Sequence, residues 1–258
     1  MIRGIWDRET VALLLLCASL PIAVSWLLFE GWDAAARLVF VGLFIGGWQL
    51  VWMLARAQPP SFTVLITALA IVMLAPEHLS VPQLVLGVSL GIVFGELAFG
   101  GWGRNILNPA TVTLAILGFG FPAAPWPELP IQLGWAAIPA ALIAAWFGVA
   151  SVRLMLGAGV VFAVAAYVDP GLIDIWPAVL VVLVLLVADP VASASTPLGA
   201  WVNGALYSGL VAVFHATWNG AVEVQMTVSA ALLVSLAVPL VDEIVVSLWT
   251  AGRRRKFD

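Results

Sequence analysis

Charge is what this chain has least of. Asp, Glu, Lys and Arg together make up 9% of its 258 residues, against about 25% in ordinary soluble domains. No polar stretch is long enough to coat a domain with its own soluble core. Cysteine is nearly absent: Cys17 stands alone inside the apolar run LLLLCASL. One cysteine excludes an internal disulfide or a cysteine-ligated cluster, and its setting reads as a buried structural thiol. The two histidines, His78 and His215, fall at the ends of apolar runs and form no facing pair of the kind that ligates haem. No metal site is expected. The net charge of −4, with no basic face, argues against a nucleic-acid partner. A phosphate-cradling loop, a nucleophile elbow and a dinucleotide fingerprint are also missing, since GGWGRN lacks the preceding strand such a fingerprint requires. The chain alone is not expected to be a complete enzyme.

What is abundant is apolar: 63% of the residues, against about 45–50% in soluble proteins. Runs long enough to cross a bilayer predict an all-α polytopic membrane protein, one integral domain over 1–258 with lipid as its solvent. Ten transmembrane helices are expected, over 10–29, 34–55, 61–76, 81–99, 107–121, 132–148, 152–168, 173–188, 197–215 and 223–249. The first run has no A-x-A cleavage site and reads as a retained span. Threading ten spans puts both termini on one side, with Arg3, Arg8, Arg56, Arg104, Arg153, Arg253, Arg254, Arg255 and Lys256. Arg37 alone falls opposite, among Glu30, Asp33, Glu77, Glu128, Asp169, Asp174 and Glu223. This is the positive-inside pattern; it predicts a multi-pass inner-membrane (cytoplasmic-membrane) protein with both termini cytoplasmic. Trp6, Trp32, Trp102, Trp126, Trp218 and Trp249 lie near span ends, as interfacial belts do.

Five spans fall in each half, approximately 1–128 and 129–258. An odd count makes the second half enter from the opposite side, so a repeat here is inverted. Two interruptions punctuate the spans. GGWGRNILNPATVTLAILGFGFP, 100–122, and VADPVASASTPLGAW, 187–201, each place small and polar residues and a proline before a restarted helix. The breaks at 104–110 and 189–196 take matching places, offset by one span. Backbone released from a helix inside a membrane must be satisfied by protein or by water in a cavity, and paired breaks point to a functional centre. Asn108 and Thr196 suit the capping of the helices that follow, with proline at the first helical turn. Ala110, Ala192, Ala194 and Gly199 allow close backbone approach.

The run FGGWGRNILNPATVTLAILGFGFP resembles the signature of the NqrB/RnfD family, the flavin-bearing membrane subunits of sodium-pumping NADH:quinone reductase and of the Rnf ferredoxin:NAD oxidoreductase. ADPVASASTPLGAWVNGALYSGLVAV and the tail LAVPLVDEIVVSLWTAGRRRKFD resemble the family's second conserved stretch and its C-terminal end. The resemblance implies a ten-helix fold akin to the urea-transporter type and a place in a multi-subunit, ion-coupled electron-transport complex, in which this chain is at most a non-catalytic or cofactor-holding subunit. It also implies FMN esterified to the threonine of an S-G-A-T segment beyond the first signature. This chain departs there: 121–132, FPAAPWPELPIQ, contains neither Ser nor Thr. The near match Ser193-Ala194-Ser195-Thr196 belongs to the second signature on the other face, where Thr196 is better read as a helix cap. No covalent flavin is expected. The family's cytoplasmic N-terminal extension is missing as well, so the chain resembles a trimmed member. A non-covalent flavin, FMN or riboflavin, between the broken helices remains compatible with it.

Three acidic residues are candidates for an ion or proton path: Glu96, Asp189 and Asp242. Glu96 lies at membrane depth, where an ionisable side chain marks a cavity, a partner or a function; it is read either as part of a path or as a structural pair with Arg104. Asp189 is read as a cation or proton site or as the cap of the next helix. For Asp242 the resemblance implies the cytoplasmic ion path, and the residues alone offer a boundary pair with Arg253 or its neighbours. Arg104, Asn105, Asn108, Pro109, Thr111, Pro190, Ser193, Ser195 and Thr196 complete the expected broken-helix pocket. Three functions compete: a redox-complex membrane subunit with other subunits as partners, a small-solute channel or transporter of the same fold, and a structural anchor for extrinsic redox proteins.

Overall fold

The computed structural model describes residues 7–254, which form ten α-helices and no strand. The expected roles of Arg3, Trp6, Arg255, Lys256 and the Arg254 side chain lie outside the described residues. The helices are α1 (Arg8–Glu30), α2 (Trp32–Arg56), α3 (Thr63–Leu74), α4 (Val81–Gly95) and α5 (Pro109–Gly120), then α6 (Ile131–Trp146), α7 (Val152–Val168), α8 (Trp176–Val182), α9 (Pro197–Thr217) and α10 (Glu223–Arg254). A π-helical segment, Leu183–Val187, extends α8. Local chemistry sets their ends. Asp7 caps α1 by accepting from the Thr10 N–H at 2.9 Å. A Ser80–Gln83 capping box opens α4, and proline stands in the first turn of α4, α5, α8 and α9, where its missing N–H costs no hydrogen bond.

The packing repeats. In the first half α1 lies on α3, α2 on α4, and α5 on both α3 and α4. In the second, α6 lies on α8, α7 on α9, and α10 on both α8 and α9. α1 also packs on α6, and α5 on α10, as a two-fold relation between five-helix halves requires. The first helix belongs to this frame: Ala12, Ala18, Ile22 and Trp26 of α1 are buried. Cys17 is not; it is exposed on the lipid-facing side of α1, so its apolar neighbourhood in sequence is membrane rather than core.

Length is what creates the interior site. α3 and α5 have 12 residues each, and α8 with its π-helical extension ends after the same span, at Val187. Such helices are about 18 Å long in a hydrocarbon layer of about 30 Å. One end of each joins the acidic loops: Glu77 follows α3, Glu128 lies in the connection after α5, and Asp174 precedes α8. The shortfall, about 12 Å, therefore falls for all three on the opposite face, which carries the start of α1 and Arg56. There the chain runs through the non-helical segments 57–62, 100–108 and 188–196.

The repeat relates the breaks differently from the expectation. Segment 100–108 joins α4 to α5 and has 218–222 as its counterpart. Segment 188–196 joins α8 to α9 and corresponds to 75–80. Symmetry mates would lie on opposite faces, whereas these two breaks share one, so their meeting is an asymmetric addition to a symmetric frame.

The tightest packing is between α7 and α9. A Cβ on Gly204 would overlap the Leu154 carbonyl oxygen, while one on Gly209 would meet open space. Gly204→Ala is therefore expected to lower the melting temperature of the detergent-solubilised protein, with an overpacking cost of about 1–3 kcal/mol, and Gly209→Ala to leave it unchanged. Equal melting of both variants would contradict this interface.

Candidate functional site: a buried polar seam

The two breaks meet. Asn108, the cap of α5, accepts from the N–H groups of Ala110 and Thr111 through Oδ1, at 2.9 and 3.3 Å. Its Nδ2 donates to Asp189 Oδ2 at 2.8 Å. Asp189 Oδ1 accepts from the Val191 N–H at 2.8 Å, and its carbonyl from the Ser193 N–H at 2.9 Å. One amide and one carboxylate thus satisfy backbone on both interruptions and join them. Both side chains are buried, 7% and 8% exposed, so a membrane-depth charge has hydrogen-bonding partners rather than lipid around it. The expectation that Asp189 caps the following helix is corrected: Thr196 does so, accepting from the Gly199 N–H at 3.1 Å. Pro109 opens α5 on one side of the seam, and Pro190 stands in a turn on the other.

Asp242 of α10 holds the second break from outside. Its carboxylate accepts from the N–H and Oγ of Ser195, at 2.7 and 2.8 Å, and from the N–H and Oγ1 of Thr196, at 3.1 and 2.5 Å. Gly199 makes this approach possible, because a Cβ there would crowd Asp242 Oδ1. A pair with Arg253 is not formed; the Arg253 guanidinium lies 4.1 Å over the Trp249 ring. Thr196 is thereby committed twice, as donor to Asp242 and as cap of α9, and a phosphoester on its oxygen would cost both contacts.

Glu96, 2% exposed, terminates α4. Arg104 is not its partner: that side chain is exposed, in a separate cleft. Gln49 of α2 donates to Glu96 Oε1 at 3.2 Å and accepts from the Ser61 N–H at 3.0 Å. Ser61 Oγ donates to Glu9 Oε2 at 3.1 Å, and Glu9 pairs with Arg8 at 2.9 Å. A polar ladder therefore climbs from Glu96 to the face where α1 begins. Asn105 serves its own loop, accepting from the Gly103 N–H and donating to the Leu107 carbonyl. Thr111 and Ser193 are buried beside the seam.

Against the seam lies a small pocket of about 40 Å³, room for a few water molecules. Ser19, Thr63, Thr67, Asn108 and Asp189 give it polar patches, and Leu15, Ile66, Ala70 and Val184 are apolar. Trp102, expected in an interfacial belt, lines this pocket and is 5% exposed. Thr63 Oγ1 is buried with no hydrogen-bond partner, a rare state for a hydroxyl. Several contributors were not anticipated from sequence: Glu9, Gln49, Ser61 and Thr63. Gln49 carries the signal that finds it, a lone amide inside the apolar run FIGGWQLVWML. The histidines stay apart from the seam, His215 lying 3.5 Å from Asp169 and His78 4.0 Å from Glu77.

Comparison with known proteins gives one consistent result. The family model described as NQR2, RnfD, RnfE matches residues 2–130, half of the chain. The B-type subunit of the Na(+)-translocating NADH-quinone reductase of Pseudomonas paraeruginosa is 26% identical over 268 aligned residues, covering 81% of this chain and 66% of the relative. The corresponding subunits of Yersinia pestis and Klebsiella pneumoniae are 37% and 30% identical over 84 and 125 residues, covering 32% and 45% of this chain and 20% and 29% of theirs. The chain thus spans less than two thirds of the length of these curated relatives.

The seam predicts a strong coupling between its two side chains. Asn108→Ala removes a cap worth about 1 kcal/mol and leaves a buried carboxylate short of a donor. Asp189→Ala together with Asn108→Ala should be less harmful than the two single losses added, by about 0.5–3 kcal/mol. Denaturant titration of the four proteins in micelles measures this; strict additivity would dissolve the seam.

Proposed function

Since the chain belongs to the NQR2, RnfD, RnfE family, we propose that it is a membrane subunit of a redox-driven, ion-translocating electron-transport complex of the Nqr or Rnf type. The observation that carries this reading is the buried seam, with two broken helices, two buried carboxylates and a pocket at membrane depth. A purely structural anchor has no need of such an arrangement, because burying ionisable groups there is costly. The positive-inside pattern supports assigning the basic face, and the seam with it, to the cytoplasmic side of an inner membrane. Partner subunits are expected to supply oxidation of the soluble electron donor, for which this chain has no binding motif.

The chemistry of the lining suits a flavin held without a covalent bond, provided the short helices part to widen a pocket that is about 40 Å³ as it stands. The pocket combines apolar walls with polar groups, as a flavin has an apolar and a polar edge, and Thr63 offers a hydroxyl with no other partner. Asn108, Thr63 and Thr67 would hold its polar edge, and the bound group would supply one-electron redox chemistry. A covalent link at Thr196 does not suit the site, because that oxygen is already engaged. What the chain's own residues do is shield the pocket from lipid, fix the seam, and keep Glu96 and Asp189 at depth. There they serve cation or proton movement, with Asp242 anchoring the break that flanks the path.

Two measurements test this reading. Native affinity purification from the source membrane should bring down redox subunits and a flavin that acid releases unmodified, with Thr63→Val lowering the flavin content at least several-fold; recovery of the chain with neither would overturn it. Glu96→Gln and Asp189→Asn should insert normally yet reduce turnover and ion movement of the complex at least several-fold. Wild-type rates in both variants would return these carboxyls to a structural role.

A further inference from the structure

On the basic face, apart from the seam, a second cavity of about 460 Å³ opens beside the ends of α2 and α4 and the start of α1. Its polar lining is Arg8, Arg56, Gln58 and Arg104, and no acidic side chain among the described residues lines it. The three cations differ in state. Arg8 is committed: its Nε pairs with Glu9 at 2.9 Å, and its Nη1 and Nη2 reach the Trp102 and Pro59 carbonyls at 3.3 Å each. Arg56 and Arg104 are exposed and form no ion pair among the described residues.

The loop is shaped around these side chains. Gly100, at φ 104°, lets the Arg104 side chain lie 3.2 Å from where a Cβ would stand, and Gly101, at φ 91°, leaves room that Gln58 occupies. The connection thus sets its own cation, solvent-exposed, at the wall of the cavity. Ala98 and Phe99 form an apolar side, Phe99 being 45% exposed. The cavity sits where α2 ends and α1 begins, at headgroup level. Like charges gathered without an acid repel one another, and an anion at the centre removes that cost. Guanidinium groups match phosphate geometry, and basic pockets between membrane helices take anionic headgroups.

We propose that this cleft binds an anionic phosphate group, one without a cationic neighbour, through Arg56 and Arg104. An anionic phospholipid headgroup and free phosphate share this chemistry; the apolar side beside the arginines suits the lipid's glycerol and first methylenes. The inference rests on the membrane placement and is independent of the redox reading, so either can fail alone.

The test uses delipidated protein of the full chain in a neutral detergent, titrated with phosphatidylglycerol, phosphatidylcholine or orthophosphate and followed by native mass spectrometry and tryptophan fluorescence. Phosphatidylglycerol should bind at least about tenfold tighter than phosphatidylcholine. At about fivefold per arginine, Arg56→Gln with Arg104→Gln should weaken it by about 25-fold. Arg153→Gln, an exposed cation on the same face outside the cleft, should bind as wild type. Melting temperatures report that the variants fold, and Arg56→Lys with Arg104→Lys should retain most of the binding. Orthophosphate binding with the same arginine dependence would support the site with a soluble source. Equal affinity for the two lipids and no phosphate binding would overturn it, as would a loss in Arg153→Gln equal to that of the double variant.

Discussion

The structure depends on one constraint: backbone that leaves a helix inside a bilayer must find its partners within the protein. Three helices of this chain stop short of the basic face, and the segments that continue them have no lipid-compatible way to satisfy their N–H and C=O groups alone. The bond between Asn108 and Asp189 resolves two of these interruptions together. Each residue first serves its own segment and then gives its remaining atom to the other. Asp242 supplies a third point of attachment, four hydrogen bonds to 195–196 from a helix that crosses the whole layer. A carboxylate used in this way is well matched to its task, because it only accepts and can accept several times.

Much of this was readable in the sequence, and the reasons are physical. Helix positions follow from apolar run length, and all ten structural helices fall within or close to the predicted spans. The two breaks were visible as proline and small polar residues inside apolar text, and capping by Asn108 and Thr196 follows from their place before Pro109 and Pro197. Which side chains meet was not readable. Proximity suggested Glu96 with Arg104, eight positions apart, whereas the fold gives Glu96 to Gln49, 47 positions away. The intervening loop turns through glycines of positive φ and carries Arg104 outward. Exposure was likewise opaque. Cys17 sits in apolar text and Trp102 at a span end, yet the one is exposed and the other lines a pocket, because hydropathy does not distinguish lipid from core.

Repeat and site answer different questions. The repeat explains why α1 packs on α6 and α5 on α10, and why each half alone would leave a large apolar face uncovered. It does not explain the seam, whose two segments occupy unequal positions in the halves. The symmetric frame supplies rigidity, and sequence differences between corresponding loops supply the polar chemistry. The offset between the breaks along the chain is therefore the trace of a common face, not of an imperfect symmetry.

One-sidedness has a consequence for movement across the layer. Polar side chains gather at the basic-face ends of α3, α5 and α8. Farther along the same helices Ile71, Leu74, Leu114, Leu117, Val181 and Val182 are fully buried, 0% exposed, and close the interior with packed hydrocarbon. The pocket is thus a bay and not a pore. Beyond Asp189 these apolar side chains interrupt the polar lining, so a continuous polar path across the layer would require the short helices to shift or the plug to part. The helices that would shift end in segments fastened by side-chain hydrogen bonds rather than by helical backbone. Such fastenings are few and specific, a handful of side-chain bonds at each segment, whereas a continuous helix is held by a backbone bond at every residue. The seam therefore orders two irregular segments by burial and by a small set of side-chain bonds, and a change in any one of those bonds acts on both segments at once.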